Sequence, residues 1–232
     1  MTDSRKSDLD RIRETYAAYD RDGRDRLWDR TNPGYDRLKS EAEARILDLV
    51  RASLVNAGDE ILDVGCGDGD LAVLSRSAGV KTSWTGLDLL PSRISIATER
   101  VPDARFVVGS ADAMPFDDRT FQVVCAITLF SSLPSRALEA AVATEIRRVI
   151  RPGGWLVWHD LRYGNPSNPA VHGVTTARLH ELFEGWRFEL RSFTLIPPIA
   201  RRLGPTTPVT YPILHAVPAL RSHLIGRLRC PS

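Results

Sequence analysis

Apolar residues recur along this chain in two rhythms. Across 35–54 the positions Leu38, Ala42, Ile46, Leu49 and Val50 follow the three-to-four-residue spacing of a helix with one buried face. Beyond it, short apolar runs appear at 61–64, 82–87, 105–108, 121–127 and 155–158, with helical patterns at 71–77, 91–100 and 135–150 between them. Strands alternating with helices predict crossover units and a mostly parallel, doubly wound sheet covered on both faces. The tail reads differently. Thr175-Thr176 caps a predicted helix over 177–183 that ends at Gly185, and 188–195 alternates as a strand. Six prolines between Pro197 and Pro218 exclude one uninterrupted helix, and 223–230 reads as a closing strand.

The first apolar run ends in the most informative stretch, Glu60-Ile61-Leu62-Asp63-Val64-Gly65-Cys66-Gly67-Asp68-Gly69-Asp70. Three glycines two apart let a buried strand turn into a helix while a ligand presses on bare backbone. A dinucleotide fingerprint needs its third glycine at position 70, where this chain has Asp. Asp63 and Asp70 also put negative charge where a pyrophosphate would lie, whereas a cationic cofactor tolerates it. An ordinary strand-to-helix turn remains the other reading.

In such sheets, ligands sit beyond the carboxyl ends of the strands. Asp88 follows the second strand, 25 residues after Asp63, and suits both hydroxyls of a ribose; capping the helix at Pro91 is the alternative. Leu89 and Leu90 are placed to cover a purine. After the third strand, Asp112 and the Ala113 amide read as a pair that recognises adenine, or else as a polar turn ended by Pro115. The fourth strand ends at Ile127-Thr128, and Arg151-Pro152-Gly153-Gly154 leads into the fifth.

Together these motifs resemble the class I S-adenosylmethionine-dependent methyltransferases over roughly 59–160. Asp63, Gly65, Gly67 and Gly69 match the first motif, Asp88 the ribose acid, Asp112-Ala113 the adenine pair and Arg-Pro-Gly-Gly the turn before strand five. Gln122 departs from the common Asp. The narrower similarity is to small bacterial methyltransferases of the methyltransferase-11-like type, acting on sugars or secondary metabolites. The resemblance implies a Rossmann-like seven-stranded sheet with an antiparallel last strand, with S-adenosylmethionine bound by Asp63, Gly65, Cys66, Gly67, Gly69, Asp88, Leu89, Asp112, Ala113 and Thr128. It implies a methyl-transferring enzyme whose acceptor is a small molecule, most simply a sugar or natural-product hydroxyl. Alternatives are a lipid or lipid-linked acceptor, or a catalytically silent cofactor-binding protein.

A hydroxyl acceptor needs a base past strands four and five, where His159 and Asp160 stand; adjacent strand residues face opposite ways, so one of them looks inward. His159 has the better ordinary pKa for a base, and its alternative is a packed core histidine. The expected division is an N-terminal helical lid over 1–34 and a methyltransferase domain over 35–232, with a cofactor half at 59–160 and an acceptor side with the last strands at 161–232. The first thirty residues hold eight acids and eight bases around Tyr16, Tyr19 and Trp28, which also suits a solvated helix laced with weak ion pairs.

Composition narrows the class. A net charge of +2 makes no case for nucleic acid, and no amino-methylating or pyrimidine-attacking motif is present. Cys66, Cys125 and Cys230 lack metal-ligand spacing, so no metal is expected. No apolar run of about 18 residues or signal peptide is evident, predicting a cytoplasmic protein without stable membrane insertion. Residues 187–232 carry seven arginines and one acid, Glu189: a solvated rim, or an attraction to an anionic substrate or membrane surface.

Overall fold

The computed structural model describes residues 3–22, 29–56, 58–164, 168 and 170–232; Trp28 and most of the 165–169 segment lie outside them. Seven strands form one sheet in the order β3-β2-β1-β4-β5-β7-β6. They are β1 (Glu60–Val64), β2 (Ser83–Asp88), β3 (Arg105–Val108), β4 (Phe121–Ile127), β5 (Ile150–Leu161), β6 (Arg187–Leu195) and β7 (Arg221–Arg229). The first five pair in parallel, and β7 runs antiparallel to both β5 and β6. The doubly wound sheet with its antiparallel last strand is as expected.

Eight helices accompany it among the described residues: α1 (Asp3–Arg21), α2 (Pro33–Arg51), α3 (Asp70–Ser77), α4 (Pro91–Arg100), α5 (Arg136–Val149), α6 (Thr176–Leu182), α7 (Pro197–Arg201) and α8 (Thr207–His215). Local chemistry sets several starts. Asn32 accepts from the Tyr35 amide ahead of Pro33, Ser135 accepts from the Leu138 amide, and Thr175 accepts from the Arg178 amide. The proline-rich segment becomes two short helices rather than one.

The sheet buries both faces. Leu62, Val64, Val124, Leu156 and Trp158 pack with α5 and α6, while Ile61, Val123, Cys125 and Val157 pack with α2 and α3. The Arg-Pro-Gly-Gly segment departs from the expected turn because β5 begins at Ile150 and absorbs it. The irregularity survives as a register shift in which Phe121 opposes Ile150 and Val123 opposes Trp155. Gly154 is required there: a Cβ would stand 2.8 Å from the Gln122 carbonyl oxygen.

Candidate active site

Register brings the strand tips level, with Val64 beside Leu87 and Ala126, and Asp88 beside Val108. From Val64 the chain turns through Gly65, Gly67 and Gly69, whose φ angles of 74°, 51° and 77° suit glycine alone among common residues. The amides of Gly65 and Cys66 both donate to the Leu87 carbonyl, at 2.7 and 3.1 Å, tying the loop to β2. Cys66 packs its sulfur over Gly86, and burial among carboxylates raises its thiol pKa, leaving a protonated, inert side chain.

Asp88 binds the same loop. One carboxylate oxygen accepts from the Gly67 amide and the other from the Leu90 amide, each at 2.9 Å. The N-cap of α4 is Leu90, with no side-chain cap, so Asp88 is not simply a helix cap. A carboxylate has about four acceptor positions. Two remain for a ligand.

Asp63 is buried at the tip of β1. Desolvation, then the charges of Asp88 and Asp70, push its pKa up to about 7. A buried carboxylate facing two others favours a ligand that presents positive charge. That is the opposite of a pyrophosphate site.

At the tip of β3, Asp112 is held by the Ser110 hydroxyl and the Arg5 guanidinium. Burial alone would raise its pKa, but these partners hold it below the ordinary carboxylate value. The Ala113 amide departs from expectation: it donates to the Ser110 carbonyl at 3.1 Å and closes the turn instead of standing free. Thr128 ends β4 at a left-handed φ of 53°, its amide donating to the His159 carbonyl at 2.7 Å. Strain of this kind in a β-branched residue is concentrated at functional sites.

Helix α1 is not a free solvated helix. Leu9 and Tyr19 are buried, and Ile12 packs against the main core. The helix crosses the strand tips, tied at Asp112 by Arg5, at Ser135 by Asp8, at Arg93 by Asp20 and at Asn168 by Tyr19. The Tyr16 phenol bonds Ser132 near Asp88 and Asp160, and burial raises its pKa.

Adjacent on β5, His159 and Asp160 do face opposite ways. His159 points toward the α2 side, bonded to the Thr194 hydroxyl at 3.1 Å and stacked on His223 at 4.7 Å. Burial holds its pKa well below the ordinary histidine value. Its surroundings are those of a packed core histidine, the alternative the sequence left open. Asp160 faces α1 and accepts from the amides of Ser131 and Leu161 at 3.1 and 2.8 Å. Burial outweighs those bonds and brings its pKa to about 6. Its bonds fix the turn at Phe130–Ser132.

Beside that turn, a cavity of about 420 Å³ lies between α1, α5 and α6, lined by Thr15, Ser132, Glu139, His172 and Arg178 among others. Neither His159 nor Asp160 lines it. Glu139 is almost fully buried and accepts from His172 Nε2 at 2.7 Å and Arg178 Nε at 2.8 Å. Burial would raise its pKa, yet these two partners hold it below the ordinary value. Sequence reasoning missed this trio. Its members lie 33 and 39 residues from Glu139, beyond any local spacing. Among the described residues, no His, Cys, Asp and Glu cluster could hold a metal.

Residues 61–154 match a family described as a methyltransferase domain. A phthiotriol/phenolphthiotriol dimycocerosates methyltransferase from Mycobacterium leprae is 37% identical over 134 residues, covering 56% of this chain and 48% of that protein. A demethylmenaquinone methyltransferase from Chlorobaculum tepidum is 41% identical over 99 residues, covering 41% and 38%. The chain thus spans about half the length of the first relative, and less of the second. Among solved structures, an S-adenosylmethionine-dependent methyltransferase from Methanosarcina mazei shares the fold at a TM-score of 0.59 and 18% identity, over 78% of this chain and 97% of that one. The glycine turn and the strand-tip acids Asp63, Asp88 and Asp112 thus lie inside the segment that matches a methyltransferase domain, and the sheet around them has the fold of a solved S-adenosylmethionine-dependent methyltransferase.

Proposed function

We propose that the chain methylates a hydroxyl of a small acceptor, a sugar or natural-product scaffold, seated in the cavity between α1, α5 and α6. The observation that carries this reading is the Glu139–His172 pair on the cavity wall beside Ser132. Bound S-adenosylmethionine supplies a methyl group already activated on a cationic sulfur. The protein's task is therefore positioning and charge placement.

Each strand tip has a part in this. Gly65, Gly67 and Gly69 offer bare backbone, and the open acceptor positions of Asp88 take the ribose hydroxyls. Asp63 faces positive charge on the ligand, which favours its ionised form. Asp112 takes the adenine amine in exchange for part of its bonding to Arg5, and Leu89 covers the ring. α1 acts as a lid, with Tyr16 excluding water. His172 accepts the hydroxyl proton on Nδ1, its ring held in place by Glu139 at Nε2. Asp160 is a positioning residue for Ser131 and Ser132.

His172→Ala is the test. Turnover on the true acceptor should fall about 10²–10⁴-fold while cofactor affinity stays within about twofold. A fall of less than about tenfold would remove His172 from the chemistry. A lipid-linked acceptor is the second reading, supported by the acceptors printed in the names of the two relatives. Homocysteine-product release on lipid extracts, but not on soluble hydroxylated acceptors, would favour it. Cofactor binding without product on either would favour a silent binding protein.

A further inference from the structure

We infer that α8 and the arginines around it form a docking surface for an anionic lipid bilayer. The helix buries Thr207 and Tyr211 against the body and turns its other face outward. Val209 and Ile213, one turn apart, are 69% and 65% exposed, and Val217 just past the helix is 44% exposed. Single exposed apolar residues are ordinary, but an aligned set on a short helix is a patch. The segment from Leu190 to Ser232 contains no Asp or Glu. Arg37, Arg191 and Arg221 lie close enough to act on His215 at the end of α8, opposed by the single carboxylate of Glu41. Arg37 is itself paired with Glu41, at 2.8 Å, whereas Arg191 faces Arg45 and Arg221 rather than an acid. Arg202 is exposed beside the segment.

An apolar stripe bordered by arginines matches the two components of an anionic bilayer surface: acyl boundary and phosphate layer. Topology adds direction. α7 and α8 are inserted between the end of β6 and the start of β7, where Leu195 pairs Arg221. That is the sheet edge carrying Asp63, Asp88 and Asp160. A docked protein therefore turns its site edge toward the lipid. None of the helices among the described residues is long and apolar enough to cross a membrane, so the attachment is peripheral. This inference does not depend on the acceptor chosen above.

The full chain is sedimented with vesicles of phosphatidylcholine alone or mixed with phosphatidylglycerol, at low and high salt. It should bind the anionic vesicles, and salt should weaken that binding. The double variant Val209→Asp/Ile213→Asp should lower partitioning at least about tenfold. Arg202→Glu should lower it at least about fivefold. Circular dichroism and S-adenosylhomocysteine affinity should be unchanged in both. Folded wild-type protein remaining in the supernatant would overturn the inference, as would variants that partition like wild type. So would a double variant whose only change is loss of concentration-dependent self-association, which assigns the stripe to a second copy.

Discussion

Replacing Asp88 probes the cofactor grip most sharply, because its carboxylate does two jobs. It accepts the Gly67 and Leu90 amides at 2.9 Å each, and under the proposal above its remaining positions take the ribose hydroxyls. Asp88→Ala removes both, leaving two loop amides without their acceptor, so loop distortion and lost ligand contact are mixed. Asp88→Asn is cleaner: the amide oxygen keeps one backbone donor while charge and one acceptor disappear. The loss of a charge-assisted hydrogen bond predicts about 1.5–3 kcal/mol for the alanine variant, or roughly 10- to 150-fold in Kd. The asparagine variant should fall toward the lower end. Calorimetry with S-adenosylhomocysteine is the assay, since that ligand shares the ribose but lacks the sulfonium charge. S-adenosylmethionine should lose about the same factor. Unchanged affinity for the demethylated ligand in a folded variant would remove Asp88 from the ribose site. A loss confined to S-adenosylmethionine would mean that Asp88 senses charge alone.

Three further outcomes rest on buried groups elsewhere in the fold. Asp63 has a folded pKa near 7 against 3.8 for an unstrained carboxyl, so the folded state holds the proton more tightly and stability falls as pH rises from about 4 to about 7. That fall is on the order of 4 kcal/mol, and Asp63→Asn should abolish it in pH-dependent unfolding; an unchanged slope would refute the assignment. His159 and His223 act in the opposite sense: their depressed pKa values, about 4 for His223, penalise the fold as pH drops below about 6.5. His159→Asn removes that acid penalty but loses the stack on His223 and the bond to Thr194, so it should lower Tm at neutral pH while leaving turnover within about tenfold; a turnover loss of 10²-fold or more would restore it as a base. Gly34→Ala should destabilise by about 2–3 kcal/mol in denaturant melts, because its Cβ would lie 1.8 Å from the Ala200 carbonyl oxygen of α7. A neutral result would show that α7 yields freely.

The sheet was legible because its strands are short apolar runs punctuated by glycine, and a parallel sheet leaves little choice of connection. The placement of Asp63, Asp88 and Asp112 along one end of the sheet was legible because each follows a strand in a fixed order. Helix α1 was read less well. Its dense alternating charge obscured Leu9 and Ile12, which continue the helical spacing of Tyr16 and Tyr19 and were the available signal for a docked face. The choice between His159 and Asp160 needed the sheet itself. Both faces of β5 are covered, so Val157 and Trp158 are equally apolar and parity alone names no inward side. Glu139, His172 and Arg178 meet only through the packing of α5 against α6 and the 170–175 connection.

The most direct measurement is a calorimetric titration of the purified chain with S-adenosylmethionine and S-adenosylhomocysteine. A single saturable site for both, with Kd of about 1–100 μM, is the predicted result. A folded chain that gives no binding heat with either ligand, or that takes up NADH more tightly, would contradict the account.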